Sequence, residues 1–461
     1  MHPVLGAGWR VAGWLANTLV TTGLPGDGKL ARTVRLRRGA TVRMAEWAAR
    51  HRDPARPLLW VHAPSVGEGL MARPVLERIR SSHPDWQVAY TYFSPSAERF
   101  AARLVPSLAD MAEVLPFDTV GAARRWLDAL APSALVFAKL DVWPLLVREA
   151  TRRGTPVGLV SAALDPGSSR LGALAAAALR DAYAALGAVG AVDATTAEAL
   201  VTLGVRREVV SVTGDTRYDQ VLARVAGADA GADAGADAGA DAGAWVARLG
   251  RGRPTLVAGS TWPTDETVLL AAWREIRRTH PTARLVVAPH EPVSAHLASL
   301  AAPLRALGGM VAPVDTPEAA AADVVLVDRV GILADLYAVA DVAYVGGGFH
   351  DAGLHSVVEP AAWGRPVVCG PRDARQRDAA GLAAVGALRR VADAAQLAAI
   401  LRAWFDDGAA ATAAGDAGRA AIEAGRGAAA ASVRLVERLV ERLVERLVER
   451  LVERAPGTAA R

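Results

Sequence analysis

A chain of 461 residues exceeds one ordinary hydrophobic core and predicts two domains. The single cysteine, Cys369, excludes a disulfide framework and a cysteine-based zinc site. The formal charge of +4 is unevenly placed, because residues 1–57 hold nine Arg and one Lys against three acids. That excess suits nucleic acid or an anionic membrane surface, and with no zinc-finger spacing or basic-aromatic interleaving the membrane surface ranks higher.

Residues 1–34 form the first segment. Val4, Leu5, Trp9, Val11, Trp14, Leu15, Leu19 and Val20 predict a helix lying in a membrane interface beside the basic extension. Packing on its own domain is the bland alternative; the apolar stretch is too short to favour spanning. From residue 35 to 220 short apolar runs alternate with helical spacing. Leu58–His62, Trp86–Thr91, Ala134–Ala138 and Val157–Val160 read as buried strands, and αβ repetition of this kind predicts a parallel sheet covered on both faces.

Residues 221–245 contain an Ala-Gly-Ala-Asp repeat, a poor core and a poor helix, expected to act as a flexible linker. A second αβ series fills 246–430, with strands at Thr255–Gly259, Arg284–Ala288, Val324–Asp328, Val342–Val345 and Pro366–Gly370. Two such domains predict a cleft, with ligand sites at the carboxyl ends of strands. Residues 431–461 carry Leu-Val-Glu-Arg five times over Leu435–Arg454 and predict a helix. A four-residue period turns through about 400°, so each Leu drifts about 40° from the last and a long coiled-coil seam is not expected.

Glu68 follows a strand and a glycine where a helix opens, and a helix N-terminus favours its ionised form. A capping acid is the equally weighted alternative. Asp141 holds the corresponding place after the Val136 strand, so the two carboxylates suggest an acceptor-activating pair. In the second domain Ser260 and Thr261 follow a strand and offer hydroxyls and backbone N–H groups to an anion. Gly346, Gly347 and Gly348 follow another, with His355, Ser356 and Glu359 downstream; the glycines permit close backbone approach and Glu359 suits ribose hydroxyls. His290 and His355 are candidates for phosphate or sugar contacts, whereas His62 reads as a core or loop histidine. The histidine spacing indicates no metal site.

These motifs together resemble the bacterial 3-deoxy-D-manno-octulosonic acid (Kdo) transferase family. The likeness runs in order through Trp60–Glu68, Leu115–Asp118, Asp141–Pro144, Gly214–Asp219, Ala258–Trp262 and Val345–Pro360. It implies a GT-B α/β architecture of two Rossmann-like domains facing a cleft, with a helical C-terminal extension. It further implies transfer of Kdo from CMP-Kdo to a lipid A precursor hydroxyl, with inversion and without cofactor or metal, at the cytoplasmic face of an inner membrane. Glu68 would be the base, Ser260 and Thr261 would hold the phosphate, Glu359 the ribose, and Ser356 and the Gly346 loop would shape the nucleotide pocket. Two family arginines are absent, at Pro289-His290-Glu291 and at Ser161-Ala162-Ala163-Leu164-Asp165. Arg365, Arg372 and Arg375 are candidate substitutes. A related transferase with another donor or acceptor, or a non-catalytic scaffold, are the alternatives, and no motif sets the oligomeric state.

Overall fold

The computed structural model describes residues 3–165, 167–229, 242–250, 252–374 and 376–454. It contains two compact units: residues up to Gln220 together with those from Arg426 onward, and Val221–Gly425.

The first unit is built on seven parallel strands: β1 (Leu58–His62), β2 (Gln87–Tyr92), β3 (Met111–Val114), β4 (Ala134–Ala138), β5 (Val157–Ala162), β6 (Ala188–Ala191) and β7 (Val210–Val212). Their order is β3-β2-β1-β4-β5-β6-β7. Every residue of β1 is buried, as a strand covered on both faces requires. Leu58 and Trp60 point into one core, where Trp60 stacks on Trp126, while Leu59 and Val61 point into the other. Side-chain alternation along the strand thus feeds two helical layers from one apolar run.

The second unit repeats the plan with β8 (Thr255–Thr261), β9 (Arg284–Pro289), β10 (Val311–Pro313), β11 (Val324–Leu326), β12 (Val342–Val345), β13 (Val367–Cys369) and β14 (Leu388–Arg390). All its pairings are parallel, in the order β10-β11-β9-β8-β12-β13-β14. In each sheet the strand order reverses beside one strand, β1 against β4 and β8 against β12. Loops leaving such a pair diverge and open a crevice, the usual ligand position in doubly wound sheets.

The terminal helix Ala428–Arg454, expected as a helical C-terminal extension, packs on the first unit. Val433, Leu435, Val436, Leu439 and Val440 join the core that contains Leu59, Val75 and Ile79. Gly158 and Gly187 leave room for Leu439, which a Cβ at either position would crowd. Asp219 caps the helix, accepting the Gly427 and Ala429 amides at 2.8 Å each. The leucines of the first two repeats are buried and Leu443 is only half-buried, which is where the 40° drift carries the stripe off the interface.

The linker expected over 221–245 is helical at both ends, in Thr216–Asp229 and Ala242–Leu249, while 230–241 lie outside the described residues. Val221, Leu222, Val225 and Trp245 are buried, so apolar residues flanking the repeat override its poor propensity. The amino-terminal helix spans Pro3–Thr22 and exposes Val11, Trp14 and Leu15. Its Trp9 indole donates to Asp118 at 3.0 Å. Among the described residues no helix is long and apolar enough to cross a membrane.

Candidate active site

In the first unit the candidate residues gather where β1 and β4 diverge. Glu68 lies in the first turn of the helix Val66–Ser82, directly after β1. The Ser65 hydroxyl donates to Glu68 Oε2, and Lys139 Nζ lies 3.1 Å from Oε1. Lys139 follows β4 with φ +68°, a backbone conformation that a non-glycine residue adopts only when its surroundings impose it. Gly69 is required beside Glu68, since a Cβ there would collide with Phe100 and the Tyr90 hydroxyl.

Asp141 stands two residues beyond Lys139. Its Oδ2 accepts the Trp143 indole N–H at 3.3 Å, and Arg170 approaches Oδ1 at 3.8 Å. The two carboxyls are driven apart electrostatically. Burial raises Glu68, but the Ser65 hydroxyl and then the Lys139 ammonium outweigh it and hold the group below its ordinary range. For Asp141 burial dominates; the Trp143 indole and Arg170 oppose it, negative Glu68 adds to it, and the net shift is upward. Paired acids displaced in opposite directions can divide acid and base roles, and Glu68 is the more readily ionised of the two.

Neighbouring motif residues hold this geometry. Asp118 is buried and accepts the Leu145 and Leu146 amides at 2.9 and 3.0 Å, fixing the start of the helix Pro144–Arg153. Burial pushes its carboxyl up to about 6. His62 is fully buried with Nδ1 3.0 Å from the Thr91 hydroxyl, and desolvation holds it down to about 3, so it is a core residue. In the Gly214–Asp219 motif, Asp215 pairs with Arg217 and Asp219 caps the returning helix.

In the second unit the corresponding crevice lies between the ends of β8 and β12. Gly346 must be glycine because a Cβ would strike the Ser260 carbonyl. Ser260 itself has φ +54° and is half-buried. Thr261 points elsewhere: its buried hydroxyl donates to Glu266 at 2.9 Å, and Glu266 in turn meets His296. Fully buried Asp265 staples the two loops, accepting the Trp262 and Gly347 amides at 3.0 and 2.8 Å, the Phe349 amide at 3.2 Å and the Tyr344 hydroxyl at 3.0 Å.

Trp262 is the platform of this crevice. His350 stacks on it at 4.0 Å between centroids and His290 at 4.6 Å, and its indole donates to His355 Nε2 at 3.0 Å. His290 and His355 lie 4.5 Å apart. Burial, together with the neighbouring His290, holds His355 below the usual imidazole range. Gly348 packs against Gly370, and the Ser356 hydroxyl donates to Glu359 at the start of the short helix Val358–Ala362. Arg365 is spent on the Tyr337 and Ala338 carbonyls, and Arg372 binds the Phe349 carbonyl beside the glycine loop. Arg375 lies outside the described residues.

The structure therefore brings Glu68 and Asp141 together in the first unit. In the second it brings Ser260, His290, Gly346, Gly347, Gly348 and His355 around one crevice, with Thr261 turned away. Sequence reasoning missed Lys139, Arg170, Asp265 and His350. Lys139 had a signal, being one of only two lysines among 52 basic residues. Asp265 had one too, as the third residue of a helix opening on proline. Arg170 and His350 had none.

Two Rossmann-like units, each with its crevice at a strand-order reversal, and a helical C-terminal extension define a GT-B-like α/β fold. The fold matches UDP-GlcNAc 2-epimerase from Neisseria meningitidis with a TM-score of 0.61 at 14% identity, over 84% of this chain and 100% of that one. Residues 37–220 match the family described as 3-deoxy-D-manno-octulosonic-acid transferase (kdotransferase). The 3-deoxy-D-manno-octulosonic acid transferase of Chlamydophila psittaci is 30% identical over 70% of this chain and 72% of its own length. That of Bordetella pertussis is 30% identical over 77% and 81%. The chain belongs to the 3-deoxy-D-manno-octulosonic acid transferase family.

Proposed function

We propose that this protein transfers Kdo from CMP-Kdo to a hydroxyl of a lipid A precursor with inversion, working at the cytoplasmic face of an inner membrane. The observation that carries the reading is the divided carboxyl pair, with Glu68 held ionised and Asp141 raised at the β1–β4 reversal. Glu68 takes the proton of the acceptor hydroxyl as its oxygen bonds to the anomeric carbon. The bond from that carbon to the phosphate oxygen breaks, and CMP leaves with the electron pair. Asp141 orients the acceptor. Ser260, the Gly346–Gly348 loop, His290 and His355 receive the phosphate and sugar, and Ser356 and Glu359 the ribose. Thr261 contributes its backbone, since its hydroxyl is engaged. The exposed Val11, Trp14 and Leu15 of the amino-terminal helix support peripheral membrane contact.

The test is incubation of purified protein with labelled CMP-Kdo and tetra-acylated precursor. Transfer is expected, and Glu68→Gln should lower it by about a hundredfold or more, the range for loss of a general base. Absence of both transfer and CMP-Kdo binding sinks the reading. The absent arginines at His290 and Ala163 favour a second reading, a changed donor or acceptor. CMP-Kdo binding without transfer to this precursor would select it.

A further inference from the structure

The amino-terminal helix Pro3–Thr22 roofs two different cavities. One, of about 390 Å³, is walled by Trp9, Gly13 and Ala16 of the helix and by Phe93, Phe117 and Trp143 beneath it. Asp141 is also on its wall. That size lies within the range of small-molecule sites, and its walls are mostly apolar. Its other carboxylate, Asp118, is already engaged by two amides and the Trp9 indole. Mostly apolar walls of this kind favour a hydrocarbon occupant.

The second cavity, of about 470 Å³, includes Arg10 from the same helix and Arg148 and Arg152 from Pro144–Arg153, with Asp181 also on its wall. Its charge is lopsided for a specific reason. Buried Glu149 is shared by Arg124, Arg148, Arg152 and Arg153, and Asp128 also pairs with Arg153, so two carboxylates serve four guanidiniums. Such a surplus is met by an anion with several oxygens, and guanidinium groups suit phosphate.

We infer that the cavity between the amino-terminal helix and Trp143 is a binding site for one acyl chain of a phosphorylated lipid acceptor, whose phosphate rests on Arg10, Arg148 and Arg152. The occupant is the acceptor, not bulk bilayer lipid, because Asp141 lines the same cavity and so places a bound chain beside the reacting carboxylates. Calling the occupant an acceptor rests on the transferase reading; the alkyl-phosphate site does not.

The experiment titrates the full chain with a dodecyl phosphate brominated along its chain, below its micelle concentration, and follows quenching of tryptophan fluorescence. Saturable quenching is expected, reduced in Trp9→Phe, with affinity about tenfold weaker in Ala16→Phe and intermediate in Ala16→Leu. Arg148→Gln/Arg152→Gln should weaken the phosphate probe but not the matching brominated alcohol. Equal affinity in wild type and the Ala16 series, or equal affinity for alcohol and phosphate in wild type, overturns the site. Quenching by brominated vesicles of mixed anionic lipid that is insensitive to Ala16→Phe, without quenching by the soluble probe, would make the helix a membrane contact only. In transfer assays Ala16→Phe should raise KM for the acylated acceptor about tenfold more than for its deacylated form; an equal rise overturns delivery of the chain to the site. If no acceptor is glycosylated, the transferase reading fails while the quenching result still decides the cavity.

Discussion

The Ser65 hydroxyl and Lys139 together set the working range of Glu68. A cation 3.1 Å from the carboxylate stabilises its ionised form, so the base stays deprotonated to lower pH than burial alone would allow. Because the folded value is depressed, the activity that depends on ionised Glu68 is present above it and lost as pH falls through it. Lys139→Met should therefore move the acidic limb of the kcat/KM profile upward, and Lys139→Arg should restore part of the shift. A limb that stays in place in Lys139→Met would show that the ammonium does not govern the base.

His355 gives the second unit its own pH dependence. Its folded value lies below the ordinary imidazole value, so the unfolded chain binds the proton more readily. Stability from this group is fully present above about pH 6.5 and falls as pH drops through the folded value. Urea melts between pH 7 and 5 should show a smaller loss in His355→Gln than in wild type, and parallel losses would argue against this origin. Glu68 and Asp141 were readable in the sequence because a carboxylate after a buried strand has few structural duties. Thr261 was misleading for the opposite reason: the sequence shows a hydroxyl in a loop, and only the fold shows Glu266 beneath it.

At the scale of elements, the strands were legible because burial on both faces demands uninterrupted apolar runs, and β1 and β4 have them. The place of the terminal helix was not legible. A repeat with two apolar residues in every four offers a stripe to any partner, and the partner is marked only by Gly158 and Gly187, far away in sequence. Leu439→Ala should cost about 2–5 kcal/mol in denaturant unfolding, as for other fully buried leucines. A chain ending after Arg434 should lose more than that, whereas one ending after Arg446 keeps Leu435, Val436, Leu439 and Val440 and should lose far less. Equal losses in the two truncations would contradict the drift argument.

At the scale of the whole molecule, the two units are unequal in autonomy. Val221–Gly425 is one continuous segment with its own seven-stranded sheet, while the first unit draws its core from both ends of the chain. A Val221–Gly425 fragment should unfold cooperatively by calorimetry, and a fragment ending at Gln220 should not unless the terminal helix is supplied. A cooperative transition in the shorter fragment alone would show the helix to be dispensable. The two-domain division was visible as two αβ series, but the crossing back was not, since no local pattern records which sheet a final helix covers.

That crossing has a consequence for synthesis. The apolar face formed by Leu59, Val75 and Ile79 is made early, and the residues that cover it, Leu435 to Val440, are made long after. At about 5–20 residues per second, roughly 220 residues separate the end of the first segment from its cover, an interval of roughly 10 to 45 s. During that interval the nascent chain carries an open hydrophobic face while its second unit is being made, and that unit is complete at Gly425, before the cover arrives, so the first unit, although first translated, is the later of the two to close.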